Sequence, residues 1–348
     1  MYFYALRGVK SCKVVENDLI VNITFAWEHA IAVANKSDDG LLVSHRFPTY
    51  RAEGKSDIDF LHYVVSQESF RRKLEFISPG GAGRNRVLNK KDFLDLKVSI
   101  PSNIDEQQKI GTFFKQIDDT IDLHQRQLNN IKQLKKYMMQ KIFNQEICFK
   151  DNNGKVYSGW KSFKLSDIVD RVTRKNIGLT SELPLTISAQ YGLVDQLTFF
   201  NKSIAGINLE GYYLLRRGEF AYNKSYSAGY PFGAIKRLEK YDMGLLSTLY
   251  ICFSPKDVVN SDFLAQYFES TKWHKQIVNI SGEGARNHGL LNIAIGDFFN
   301  TKHYLPCIEE QKKIAEILFS LDKQVENAEK KVTLLKEQKK GLMQIMFL

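Results

Sequence analysis

Three loops of this 348-residue chain mix hydrogen-bonding, cationic and aromatic side chains. The richest is NKSYSAGYP at 223–231, where Asn223, Lys224, Ser225 and Tyr226 precede a Gly-punctuated turn and Arg216 and Arg217 lie just upstream. Ser188, Gln190 and Tyr191 follow in ISAQYG, and Gly284, Arg286, Asn287 and His288 in GEGARNHG, whose glycines would let the backbone approach a phosphate. Such groups are suited to recognition by hydrogen bonds and charge. Lys and Arg neutralise phosphates, and amides and hydroxyls read donor and acceptor patterns. The same residue types also mark ordinary turns, and a lysine is most often simply solvated.

Nothing in the sequence completes a catalytic set. There is no N-P-P-Y methyltransferase signature, no dinucleotide-binding glycine motif and no P-loop; Gly54-Lys55-Ser56 has Thr49 where a P-loop needs glycine. Asp57 and Asp59 form no nuclease cluster, and Asp59, matched by Asp262 later in the chain, reads as a helix cap before Phe-Leu. Cys12, Cys148, Cys252 and Cys307 are far apart, which implies isolated buried thiols and neither a zinc site nor a disulfide framework. With 49 Lys and Arg against 39 Asp and Glu, the formal charge of +10 favours a polyanionic partner such as nucleic acid. No signal-peptide pattern or membrane-length apolar run occurs, so the expected location is cytoplasmic, away from any membrane, and no cofactor is expected.

The elements that position these loops come from an internal repeat. Residues 106–143 align without a gap to 310–347 at a constant offset of 204, with Glu106/Glu310, Gln107/Gln311, Lys109/Lys313, Asp118/Asp322 and Phe143/Phe347 among the identities. Both copies carry heptads. One core position reads Ile110, Ile117, His124, Ile131, Met138 and the other Phe114, Ile121, Leu128, Lys135, Ile142, with equivalents from Ile314 to Met346. Two helices of about 60 Å are expected, each the other's partner. Lys135 and Lys339 interrupt the stripe at matching positions, their stems covering the seam and their heads reaching water. Gln107, Lys109, Gln140, Gln311, Lys313 and Gln344 fall off the heptad core, and are expected either at solvent or facing a partner.

The repeat extends upstream. VVENDLIVNI (14–23) resembles LRRGEFAYNK (215–224), DFLHYVVSQESFRRKLEFIS (59–78) resembles DFLAQYFESTKWHKQIVNIS (262–281), and GGAGRNRVLN (80–89) resembles GEGARNHGLLN (282–292). Ile100 and Leu305, each before a proline, read as strand ends. The expected fold is α+β: a globular domain at 1–103, a helix at 104–147, a second domain at 148–304 and a second helix at 305–348, the helices packing together as a coiled coil. The first domain has no counterpart of residues 158–206.

This arrangement resembles the specificity subunits of type I restriction-modification enzymes over nearly the whole chain. The residues that carry the resemblance are WKSFKLSDI (160–168), GEFAYNK (218–224), the G-x-x-R-N and GARN loops, and IPSNIDEQQKI (100–110) with LPCIEEQKKI (305–314). It implies a non-catalytic subunit in which each globular domain reads one half of a split site in double-stranded DNA. The helices would pack as an antiparallel coiled coil that acts as a spacer and docks two methyltransferase subunits, and through them a motor-endonuclease subunit. The three loops above become candidate DNA contacts, with Asn22, Thr24, Trp27, His29, Gly83, Arg84 and Asn85 as first-domain equivalents. The departure is the shortened first domain, which leaves open a second reading: a regulatory fragment that binds methyltransferase without reading a full site.

Overall fold

The computed structural model describes residues 3–5, 11–52, 54, 56–78, 86–202, 206, 208–227, 229–281, 289 and 291–347. The chain forms two compact units, one of Met1–Leu128 with Ala328–Leu348 and one of Asn129–Asn327.

The first unit contains β1 (Phe3–Ala5), β2 (Ser11–Lys13), β3 (Leu19–Val21), β4 (Ile31–Val33), β5 (Leu42–Ser44) and β6 (Thr49–Ala52). Three short helices follow, α1 (Ile58–Val65), α2 (Glu68–Ile77) and α3 (Lys90–Leu94), and then the long α4 (Ile104–Phe143) begins. Strands pair antiparallel in the order β1-β6-β3-β4, beside a separate β2-β5 ribbon. Leu19, Val21 and Tyr50 point to the face covered by α2 and α3, where Phe70, Leu74, Leu88 and Phe93 complete the core.

The second unit holds the end of α4, then β7 (Lys161–Lys164), α5 (Leu165–Ile168), β8 (Val169–Arg171), β9 (Leu185–Ser188), β10 (Gly192–Asp195) and α6 (Gln196–Phe200). After these come β11 (Tyr213–Arg216), β12 (Phe220–Asn223), β13 (Ala234–Arg237), β14 (Met243–Leu246) and β15 (Ile251–Pro255). The chain continues through α7 (Ser261–Glu269), α8 (His274–Ile280), α9 (Ile295–Phe299), β16 (Lys302–Leu305) and α10 (Ile308–Met346). The central order is β13-β12-β15-β8, with β11-β14, β9-β10 and β7-β16 as separate pairs. Because successive strand residues point to opposite faces, Phe220, Tyr222, Ile251 and Phe253 enter a core shared with α7 to α9. Ala221 and Cys252 enter a second core built on Leu185, Ile187 and Leu193 of the β9-β10 hairpin. Burial pushes the Cys252 thiol up to about 12.

The two sheets are the same sheet. β3, β4 and β6 correspond to β12, β13 and β15, β2-β5 corresponds to β11-β14, and β1 takes the edge that β8 takes in the second unit. Among the described residues, the first unit has no β7-β16 strand pair and no counterpart of the β9-β10 hairpin. Its sheet face there is more open: Ile20 is half-buried and its cross-strand neighbour Ala32 is exposed.

Within each unit the long helices run antiparallel. In the first, Phe114 meets Phe347 at 5.6 Å between ring centroids and Asp118 accepts from Lys339 Nζ at 2.5 Å. In the second, Lys135 Nζ donates to Asp322. The two interrupting lysines therefore do more than cover the seam, since each is held by the repeated aspartate of the opposite helix. Each aspartate has a second donor from the adjoining domain, Tyr63 Oη to Asp118 at 2.8 Å and Gln266 Nε2 to Asp322 at 2.7 Å.

Four sequence expectations are corrected. Gln107 and Gln311 are buried, not exposed: the Oε1 atoms accept the backbone N–H of Asp57 and of Asn260, at 3.0 and 2.7 Å, and the Nε2 atoms donate to the Pro101 and Pro306 carbonyls, at 2.7 and 2.9 Å. The helix cap is Asp57, matched by Asn260, which accept from Phe60 N and Phe263 N; Asp59 sits in the first turn and binds Lys115. Leu305 ends a strand but Ile100 does not, because the pairing partner β7 has no equivalent beside it. Cys252 is buried as expected, whereas Cys148 is exposed.

Candidate nucleic-acid interface

In the second unit, the β9-β10 turn and the end of β12 converge on one cleft of about 340 Å³. Ser188 and Gln190 line it from the hairpin, Asn223, Ser225 and Ser227 from the loop after β12, and Phe199 and Tyr230 supply ring surface. Local sequence chemistry sets both walls. Ser188 Oγ accepts the N–H of Tyr191 at 3.2 Å, closing the hairpin turn, and Gly192 follows with φ of 79°, a left-handed conformation that glycine adopts without strain. Asn223 Oδ1 accepts the N–H of Ser225 at 3.0 Å, turning the chain out of β12. Gly233 is required opposite, since a Cβ there would lie 2.0 Å from the Asn223 carbonyl oxygen and its φ is 74°.

Tyr191 and Tyr226 stand at the rim, each with 61% of its surface exposed, available for stacking or for contact with sugar and phosphate. The loop is anchored from behind: Leu291 N donates to the Lys224 carbonyl at 3.0 Å and Tyr226 N to the Gly289 carbonyl at 2.6 Å. Those bonds hold the C-terminal flank of the GARN segment against the cleft loop. Gly284, Arg286, Asn287 and His288 themselves lie outside the described residues.

Arg216 and Arg217 are not brought to this cleft. They precede β12, at the end opposite Asn223, and Arg217 is occupied by Asp242 at 2.9 Å and by the Glu239 carbonyl at 2.5 Å. Sequence reasoning gave no role to Phe199 or Gly233. The phenylalanine lies in a short helix whose approach to the cleft depends on the hairpin, and the glycine's role appears only once β13 is paired with β12.

The first unit repeats half of this geometry. Asn22 Oδ1 accepts the N–H of Thr24 at 3.1 Å, and Leu88 N donates to the Ile23 carbonyl at 2.8 Å, the counterpart of Leu291 on Lys224. His29 Nε2 donates to the Val65 carbonyl at 2.5 Å and the Arg86 guanidinium lies 5.2 Å from the Trp27 ring centroid, so both serve the fold. Gly83, Arg84 and Asn85 lie outside the described residues. Among the described residues no hairpin faces Asn22, no group of His, Cys, Asp or Glu could hold a metal ion, and no helix is long and apolar enough to cross a membrane.

A sheet, loop and long-helix unit is present twice, with polar and aromatic side chains converging on a cleft in the second, which is a modular, repeated architecture. Residues 7–133 and 157–337 match the family described as the type I restriction modification DNA specificity domain, and the chain belongs to that family. It is 23% identical over 374 aligned residues to the specificity subunit of the type I restriction enzyme MjaVIII of Methanocaldococcus jannaschii, covering 99% of this chain and 83% of that one. The fold is also that of the type I restriction-modification S subunit from M. genitalium, with a TM-score of 0.58 at 14% identity, over 96% of this chain and 84% of the other. A chain from a structure concerning complex assembly and conformational transition of the type I restriction-modification system gives a TM-score of 0.53 at 15% identity, over 98% and 84%.

Proposed function

We propose that this chain is a non-catalytic DNA-recognition subunit whose domains at 1–103 and 148–304 each address one half of a split double-stranded site. The helices at 104–147 and 305–348 dock two methyltransferase subunits, and a motor-endonuclease subunit joins the complex through them. The observation that carries the reading is the convergence of Ser188, Gln190, Asn223 and Ser225 on one cleft flanked by two exposed tyrosines. Amides and hydroxyls at that spacing can pair with base edges, while Lys224 and the cationic loops beside it meet phosphates. In the first domain Asn22 and Thr24 occupy the equivalent turn, with Arg84 and Asn85 as companions, and they act without a facing hairpin.

The assignment is tested by binding of the chain, assembled with the methyltransferase subunit from the same locus, to DNA carrying its methylation site at several salt concentrations. Lys224→Ala should weaken binding to all sequences and reduce the salt slope by about one phosphate contact, whereas Asn223→Ala should cost about 1–3 kcal/mol on the specific site only. Equal loss on specific and unrelated DNA for Asn223→Ala would remove it from base reading. A stable complex that methylates no DNA would replace this reading with that of a regulatory fragment.

A further inference from the structure

We propose that an apolar groove on the first unit is a docking site for a β-strand of a protein other than this chain, one that presents a Trp-x-x-Phe pattern like that of Trp160–Phe163. The groove, of about 450 Å³, is floored by Phe60, Val64, Val98, Ile100, Ile110 and Phe347. Its occupant is identified by the second unit, which carries the same groove already filled. There Phe143, the repeat partner of Phe347, packs on Phe263 and Tyr267 at 5.9 and 5.7 Å, and Trp160 closes over Phe143 and Phe263 at 6.2 and 6.1 Å. Ile147, Phe149 and Phe163 pack on the same core. β7 then pairs with β16, Phe163 opposite His303 and Lys161 opposite Leu305.

The counterpart of β16 in the first unit is Lys97–Ile100. It keeps the strand pattern, Val98 and Ile100 turned inward and half-buried, Lys97 and Ser99 exposed, yet among the described residues it pairs with no strand. Its equivalents His303 and Leu305 are 3% and 1% exposed, and the difference is the cover supplied by β7. An extended segment can therefore add to this edge through main-chain hydrogen bonds, with its phenylalanine on the strand turned toward the groove and its tryptophan, just before the strand, closing over the Phe347 end. Among the described residues, the side-chain hydrogen bond in the way is that of Lys73 Nζ to the Lys97 carbonyl at 2.9 Å, which lies at the surface and is readily exchanged. The inference concerns assembly and does not depend on which bases are read.

The test uses the full chain and a fluorescent peptide with its own 155–168 sequence, KVYSGWKSFKLSDI, followed by anisotropy and by backbone hydrogen exchange. Saturable one-to-one binding is expected, with new protection at Lys97–Ile100. Replacing the two aromatics in the peptide (Trp160→Ala, Phe163→Ala) should weaken binding about tenfold or more. Val98→Pro in the chain, checked by circular dichroism, should abolish it, because Val98 matches His303, which lies directly opposite Phe163, and the edge loses that backbone donor. Absence of binding overturns the proposal, as does protection gained at 302–305, which would mean exchange into the second unit. Protection of 97–100 without peptide in a chain that dimerises would also overturn it, by making a second copy the occupant.

Discussion

The two units share a sheet, three short helices, a buried glutamine clamp and a lysine-aspartate seam, and differ in what lies on the outer sheet face and edge. The second has the β9-β10 hairpin and β7; among the described residues the first has neither. The shared parts join a domain to the long helices and form the Asn22 and Asn223 turns, whereas among the differing parts the hairpin supplies the facing wall of the cleft. Under the proposed function attachment and reading rest on different residues, and substitutions at matched positions test that division.

The largest expected contrast is at the closest approach of domain and helix. A Cβ at Gly111 would lie 2.6 Å from the Phe60 backbone nitrogen, whereas the matching position already holds Ala315, 4% exposed. Gly111→Ala should destabilise the first unit by about 3 kcal/mol, while Ala315→Gly should cost the second only about 1 kcal/mol. Hydrogen exchange resolved by unit checks this, and equal effects would remove the contrast.

Next is pH. His303, between Tyr267 Oη at 2.9 Å and Thr301 Oγ1 at 2.8 Å, is pushed down to about 4 by burial, and its first-unit counterpart is Val98. The unfolded chain takes up this proton near pH 6.5 and the folded chain near 4. Stability from this residue is therefore complete above 6.5, falls as pH drops through that window, and levels off below 4, a loss of about 3 kcal/mol. His303→Val should flatten that part of the denaturation-versus-pH curve. His62 in the first unit, lowered chiefly by desolvation and then by Lys339, contributes with the same sign.

Removing the clamp should cost both units alike. Gln107→Ala and Gln311→Ala each strand a buried N–H and a carbonyl, for about 2 kcal/mol by urea denaturation, and a loss in one unit alone would show that the repeat is not functionally equivalent. The smallest effect is expected at the seam: Lys135→Met and Lys339→Met should each cost about 1 kcal/mol or less and lose their effect in high salt. Asp322 and Asp118 keep 37% and 36% of their side-chain surface exposed.

Much of this was legible in the sequence because repetition tests itself. Heptads at one offset gave the helices and their pairing, the family resemblance implied that they run antiparallel, and the alignment of VVENDLIVNI with LRRGEFAYNK put Asn22 opposite Asn223, which the matching Asx turns repeat in space. Reading by heptad position failed at Gln107 and Gln311, since a residue off the coiled-coil core is still buried when a globular domain packs on that face. Ile100 looked like a strand end because strand patterning is local, whereas pairing needs a partner from elsewhere. The cleft was only half legible: its residues sit in recognisable loops, but the meeting of 188–190 with 223–225 is a tertiary event.

The most direct test of cleft reading is to coexpress the chain, and its Asn223→Ala/Ser225→Ala variant, with the methyltransferase subunit from the same locus in a methylation-free host and map modified adenines. The account predicts a motif with at least one defined half, which loses definition in the variant while the complex still assembles. An unchanged motif in the variant would contradict it.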